Sequence, residues 1–116
     1  MTLNYKKNKI EISIVILCYK AGQEIIKFID CIYSRGNERK IEFEIILVAN
    51  YWPNENDITP SIVKRYALNK NNCLVVSKPK EGMMGWDMRS GLDEAGGRVI
   101  VVIDGDTQFE PNLVFW

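Results

Sequence analysis

Histidine is absent from this chain, which removes His-based metal sites and Ser-His or Cys-His nucleophile systems from consideration. Cysteine is scarce and uneven. Cys18, Cys31 and Cys73 are odd in number, lie on apolar segments and form no C-x-x-C pair. That pattern predicts buried free thiols in a reducing, cytoplasmic compartment rather than disulfides. Net charge is missing as well: fifteen Lys plus Arg balance fifteen Asp plus Glu, so there is no bulk electrostatic pull toward nucleic acid or an anionic membrane. A neutral protein needs local charge to hold an anion. No apolar run approaches the length of a membrane span. Met1 to Lys9 is polar and basic with no apolar core behind it, so no signal peptide is expected.

What is present is 116 residues, 47% of them hydrophobic and 26% charged, which is one soluble globular domain with a real core and too little chain for two. Ile12 to Cys18 has the β-branched content of a strand. From Gln23 to about Arg35, Ile25, Phe28, Ile29, Ile32 and Tyr33 recur at helical spacing, and Arg35 to Lys40 is expected to be a charged loop. Glu44 to Ala49 is a second buried strand, opening into an irregular stretch from Asn50 to Asp57. Thr59-Pro60 starts a helix with proline at its first position, with Ile62, Val63, Tyr66 and Ala67 as the apolar stripe. Cys73 to Ser77 is a short third strand. In the next helix, Met84, Met88, Gly91, Leu92 and Ala95 are expected on the inward face, with the methionines as core packing and Asp87, Arg89, Ser90, Asp93 and Glu94 off it. Gly96-Gly97 stops that helix. Glu110-Pro111 resembles a further helix start, and the apolar end Leu113 to Trp116 predicts a fragment of a longer domain.

Four strands alternating with three helices imply a parallel, doubly wound α/β sheet with right-handed crossovers. In such sheets ligands bind beyond the carboxyl ends of the strands, where the strand order reverses. The last strand, Val99 to Ile103, is five β-branched residues in a row and reads as buried on both faces. It ends in Asp104-Gly105-Asp106. Two hard oxygen donors two residues apart can share a divalent cation, or divide between a cation and a ribose hydroxyl. The same tripeptide also suits a plain strand-to-loop turn. If the first and last strands are neighbours, Tyr19-Lys20 and Asp104 to Asp106 open onto one crevice.

S-I-V-I-L-C-Y-K at the first strand, E-I-I-L-V-A-N at the second and R-S-G-L-D-E-A-G-G-R-V-I-V-V-I-D-G-D-T-Q-F-E-P at the end together resemble the GT-A type glycosyltransferases of the large family 2. Gln108 with Pro111 is similar to that family's polyprenyl-phosphate sugar synthases. The resemblance covers essentially the whole chain, residues 1–116, as the N-terminal, nucleotide-binding half of a GT-A domain with a Rossmann-like sheet. It implies a nucleotide-diphosphate sugar donor, UDP- or GDP-linked, and an acceptor that the chain does not identify. It further implies Mg²⁺ or Mn²⁺ held by Asp106, with Asp104 facing the ribose or the metal. Cys18, Tyr19 and Lys20 match the first-strand exit that contacts nucleotide, and Glu24 matches an acidic position near base and ribose. Arg89 matches a position near the diphosphate, although one arginine on a solvated helix face needs no ligand.

The expected location is the cytoplasm, with the cytoplasmic face of a membrane as an alternative for a full-length parent. The resemblance leaves the acceptor half and the general base downstream, so the isolated chain is expected to bind nucleotide without efficient transfer. An uncovered sheet edge together with Phe115 and Trp116 predicts self-association.

One departure stands out. Where the family carries Asp-Asp-Gly-Ser after the second strand, this chain has Ala49-Asn50-Tyr51-Trp52. Asn50 can hydrogen-bond a base edge or hydroxyl without supplying charge. Trp52 is open to two readings, stacking on a base or packing on its own domain, and Tyr19 to two, nucleotide contact or rim aromatic. Lys80 reads as a solvated lysine. Two rival functions remain: a non-catalytic nucleotide-binding or assembly module, and a haloacid-dehalogenase-type phosphatase. The phosphatase motif, which I-V-V-I-D-G-D-T resembles, places its threonine one position later than Thr107 and sits on a first strand.

Overall fold

The computed structural model describes residues 9–105. The elements run β1 (Ile12–Leu17), α1 (Ile25–Glu38), β2 (Phe43–Val48), α2 (Thr59–Ala67), β3 (Cys73–Val76), α3 (Met84–Leu92) and β4 (Val99–Asp104). The sheet order is β3-β2-β1-β4, and all three pairings are parallel. The chain steps outward from β1 to β3, then returns to the other side of β1. Right-handed crossovers then demand that the last helix lie on the opposite face from the first two, and the core divides accordingly. Ile14, Ile16, Ile45 and Leu47 pack with Ile25, Phe28, Ile29 and Ile32 of α1 and Val63 of α2. Val15, Leu17, Ile46 and Val48 form the other layer, under α3 and Ala95.

β1 and β2 are the central strands and are buried almost throughout, as their unbroken apolar runs require. β4 is different. It pairs only with β1 within the described sheet, and Val99 and Ile100 are 56% and 42% exposed. The expectation of a strand buried on both faces therefore fails for its first half, and Ile103 alone is fully buried. The same β-branched run serves a central or an edge strand, and strand order decides which.

Three further expectations are corrected. α1 continues through the charged stretch to Glu38, because Arg35 and Glu38 pair at 2.9 Å on its exposed side. Cys31 is exposed, since it falls beside the apolar stripe of α1 rather than on it; Cys18 is buried and Cys73 half-buried. On α3, Gly91 is buried, and Ala95 just beyond the helix packs on the sheet as expected, but Asp87 and Ser90 also turn inward, while Met84 and Leu92 are 53% and 38% exposed. Gly91 explains the choice of face: a Cβ there would lie 2.4 Å from Val15 Cγ1 and 2.8 Å from Val48 Cγ2, so the helix rests on the sheet at a point with no room for a side chain.

The connection into β4 is held by a buried polar pair. Ser13 and Glu44 are partners across β1 and β2, and the Ser13 hydroxyl donates to Glu44 Oε2 at 2.6 Å. Gly96 N–H donates to the same carboxylate oxygen at 2.8 Å, and Gly97 N–H to Ser13 Oγ at 2.7 Å. Buried polar groups are satisfied here by loop backbone. The Glu110-Pro111 helix start, Phe115, Trp116 and Asp106 lie outside the described residues. Among the described residues no helix is long and apolar enough to cross a membrane.

Candidate functional site

The strand order reverses between β1 and β4, and the residues leaving their carboxyl ends face one another. Leu17 pairs with Asp104, and Gly105 N–H donates to Leu17 O at 2.8 Å. Position 105 has no space for a side chain: a Cβ would sit 2.6 Å from Ile25 Cδ1 and 2.8 Å from Leu17 O. The exposed Asp104 carboxylate is thereby held next to the Cys18 to Gly22 turn.

That turn is built from left-handed residues, Lys20 at φ 55° and Gly22 at φ 73°. Cys18 is fully buried, its N–H bonded to Val48 O at 2.8 Å and its thiol to Ile16 O at 3.4 Å. Burial pushes the thiol far above its ordinary range, so at this position the side chain fills space and any ligand contact is left to the backbone. The stretch after β2 closes over the turn. Lys20 N–H donates to Asp57 Oδ2 at 2.9 Å, Gly22 N–H to Thr59 Oγ1 at 2.9 Å, and Thr59 N–H to Asp57 Oδ1 at 3.0 Å. Glu55 accepts from the Tyr19 hydroxyl and pairs with Lys20 Nζ at 2.7 Å. Hydrogen bonds from Lys20 and Tyr19 hold the Glu55 carboxyl below its ordinary value, while Glu55 raises both Lys20 and Tyr19.

A second cluster lies where β2, β3 and α3 meet. Asn50 is fully buried, and its side-chain amide donates to Asp87 Oδ1 at 2.9 Å and to Ser90 Oγ at 3.4 Å. Its carbonyl oxygen accepts from Lys78 N–H at 3.1 Å. The other Asp87 oxygen is ion-paired with Lys80 Nζ, and the two side chains are 5% and 2% exposed. Lys80 is thus a buried cation, contrary to its expected solvation. It is drawn in because the β2 and β3 exits remain zipped, with Tyr51 N–H bonded to Lys78 O and Lys80 N–H to Tyr51 O at 2.8 Å. Lys80 Nζ lies 4.6 Å from the Tyr19 ring centroid and 5.8 Å from that of Trp52, within cation–π range of both.

The structure therefore brings Tyr19, Lys20 and Asp104 to one crevice, with Asn50 beneath it. Glu24 and Arg89 are exposed at the start of α1 and on the outer side of α3, and no hydrogen bond or ion pair among the described residues joins either to the cluster. Lys80, Asp87, Ser90 and Glu55 were not found from sequence. The signal for α3 was present, because Asp87 and Ser90 are spaced i, i+3 and sit i−4 and i−1 to Gly91, which is expected on the inward face. Among the described residues no group of three or more Cys, Asp or Glu is placed to hold a metal. A Mg²⁺-type ion shared with a diphosphate takes only one or two protein carboxylates, and the exposed Asp104 carboxylate has the oxygen chemistry for that.

A doubly wound parallel sheet with a polar crevice at its switch point is the architecture of nucleotide-binding α/β proteins. Residues 13–115 match the model of Glycosyl transferase family 2, and the chain belongs to that family. No curated protein matches it. Membership carries glycosyl transfer as the activity class and a nucleotide sugar as the general class of donor.

Proposed function

We propose that this chain binds a UDP- or GDP-linked sugar in the crevice at the carboxyl ends of β1 and β4, as the donor side of a glycosyltransferase whose acceptor is unidentified. The observation that carries the reading is the pairing of Leu17 with Asp104, which puts a carboxylate beside the Tyr19-Lys20 turn at the switch point. In this proposal Tyr19 and the backbone around Cys18 and Lys20 contact the nucleotide, with Glu24 near base and ribose. Asn50, expected there from sequence, is instead fully buried with its side chain engaged by Asp87, Ser90 and Lys78 N–H, and acts from below. The Arg89 guanidinium suits two diphosphate oxygens at once. Asp104 and Asp106 would hold Mg²⁺ or Mn²⁺, which would supply Lewis-acid stabilisation of diphosphate charge. Exposed Val99 and Ile100 on β4 support self-association through that edge, which light scattering at increasing concentration measures.

The test is calorimetry of UDP and GDP with Mn²⁺ and with chelator, for the wild type and Asp106→Ala. The proposal requires Mn²⁺-dependent affinity that Asp106→Ala removes, and equal affinity with chelator sinks the metal role. Product analysis with radiolabelled UDP- and GDP-sugars, beside a phosphatase assay, separates glycosyl transfer from phosphate-ester hydrolysis.

A further inference from the structure

Lys80 is the point at which the three strand exits converge. Its backbone is hydrogen-bonded to Tyr51 after β2, its ammonium pairs with Asp87 on α3, and the rings of Tyr19 and Trp52 lie 4.6 and 5.8 Å from Nζ. Taking both charges out of water costs more than an apolar pair of the same size would, so a buried ion pair adds little to stability. The Lys80 side chain is 2% exposed, so the ammonium is not offered to a ligand directly. The Asn50 amide is also engaged internally, by Asp87, Ser90 and the Lys78 backbone. Beside it lie two half-buried aromatic rings, Trp52 and Tyr19, the latter with Lys20 Nζ also 5.5 Å from its centroid.

We propose that Lys80 and Asp87 are positioning residues that hold the Tyr19 and Trp52 rings as the wall on which the donor's nucleobase stacks, with Asn50 tethering Asp87 to β2. The inference rests on the donor-site reading above and deepens it. Stacking uses the π-face that every base has, so such a wall binds uracil and guanine with little discrimination. Lys80 and Asp87 act through the rings and touch no substrate.

The experiment uses the full chain and UDP and GDP as probes, with affinities measured by calorimetry in Mn²⁺. Lys80→Met/Asp87→Asn removes both charges together, so no unpaired charge is left buried and the net charge stays at zero. Lys80→Gln/Asp87→Asn serves in its place if the first variant lacks a cooperative unfolding transition. The expected result is a loss on the order of tenfold, the worth of one stacking contact, similar for UDP and GDP. In a Tyr19→Ala/Trp52→Ala background the pair substitution should cost less than about twofold more, because groups acting as one unit are not additive. Full multiplication of the two losses, or wild-type affinity in the pair variant, overturns the positioning role. Failure of the wild type to bind either nucleotide overturns the donor-site reading and this inference with it.

Discussion

The side-chain amide of Asn50 donates to the Asp87 carboxylate across 2.9 Å, joining the exit of β2 to the first turns of α3. A donor is required at position 50, because its partner is an ionised acceptor. Asn50→Asp would face two carboxylates toward one another in a buried site, costing about 1–3 kcal/mol at neutral pH. The new carboxyl's folded pKa would be raised by the neighbouring charge. The deficit is therefore full above that raised value and disappears below the unfolded one. Thermal unfolding at about pH 7 and about pH 4.5 should show a gap to wild type that narrows in acid.

Gly91→Ala should destabilise the protein even though alanine is the better helix former. The gain in propensity is about 1 kcal/mol, whereas overpacking costs about 1–3 kcal/mol. The new methyl would come within 2.4 Å of Val15 and 2.8 Å of Val48. Adding Val15→Ala opens room and should recover part of the loss. Urea unfolding of the single and double variants measures both.

Closure of the 51–58 stretch over the β1 exit should be acid-sensitive. Hydrogen bonds from Lys20 and Tyr19 depress Glu55 from its ordinary 4.5. The contribution is therefore fully present above the unfolded value and is lost as pH falls through the lower folded one. The Tyr19 ring resonances should shift with a midpoint below 4.5 in wild type and show no such transition in Glu55→Gln. A midpoint at or above the ordinary value would contradict the clamp.

Thiol accessibility gives an independent check on the packing. Cys31 is exposed, whereas Cys18 is buried and its thiol is pushed upward by desolvation. A thiolate-directed reagent should label Cys31 rapidly and leave Cys18 unmodified until the chain is unfolded, with mass spectrometry assigning the sites. Native labelling of Cys18 at the rate of Cys31 would refute the placement of β1.

The order of the elements was legible because each strand is a β-branched run and each of the first two helices carries an apolar stripe of helical period. β4 was legible as a strand and as an uncovered edge of the sheet, but not in how far its first half is exposed, since Val99 and Ile100 look the same in a buried or an exposed strand. The inward face of α3 was misjudged in part, for a physical reason: a helix packed beside a polar crevice turns Asp87 and Ser90 inward and leaves Met84 outside. Tyr19, Lys20 and Asp104 were found because each directly follows or ends an apolar run. Lys80 was not, because its burial depends on backbone pairing with Tyr51 and on a carboxylate seven residues further along a different element.

The glycine in Asp104-Gly105-Asp106 answers to a residue far away in sequence. Ile25, the first residue of α1, occupies the space into which a side chain at 105 would grow. Glycine at 105 therefore follows from clearance against α1 and the β1 backbone. In any redesign of this crevice, trimming Ile25 frees only part of that space, because Leu17 O lies 2.8 Å from the same Cβ position and belongs to the β1 backbone.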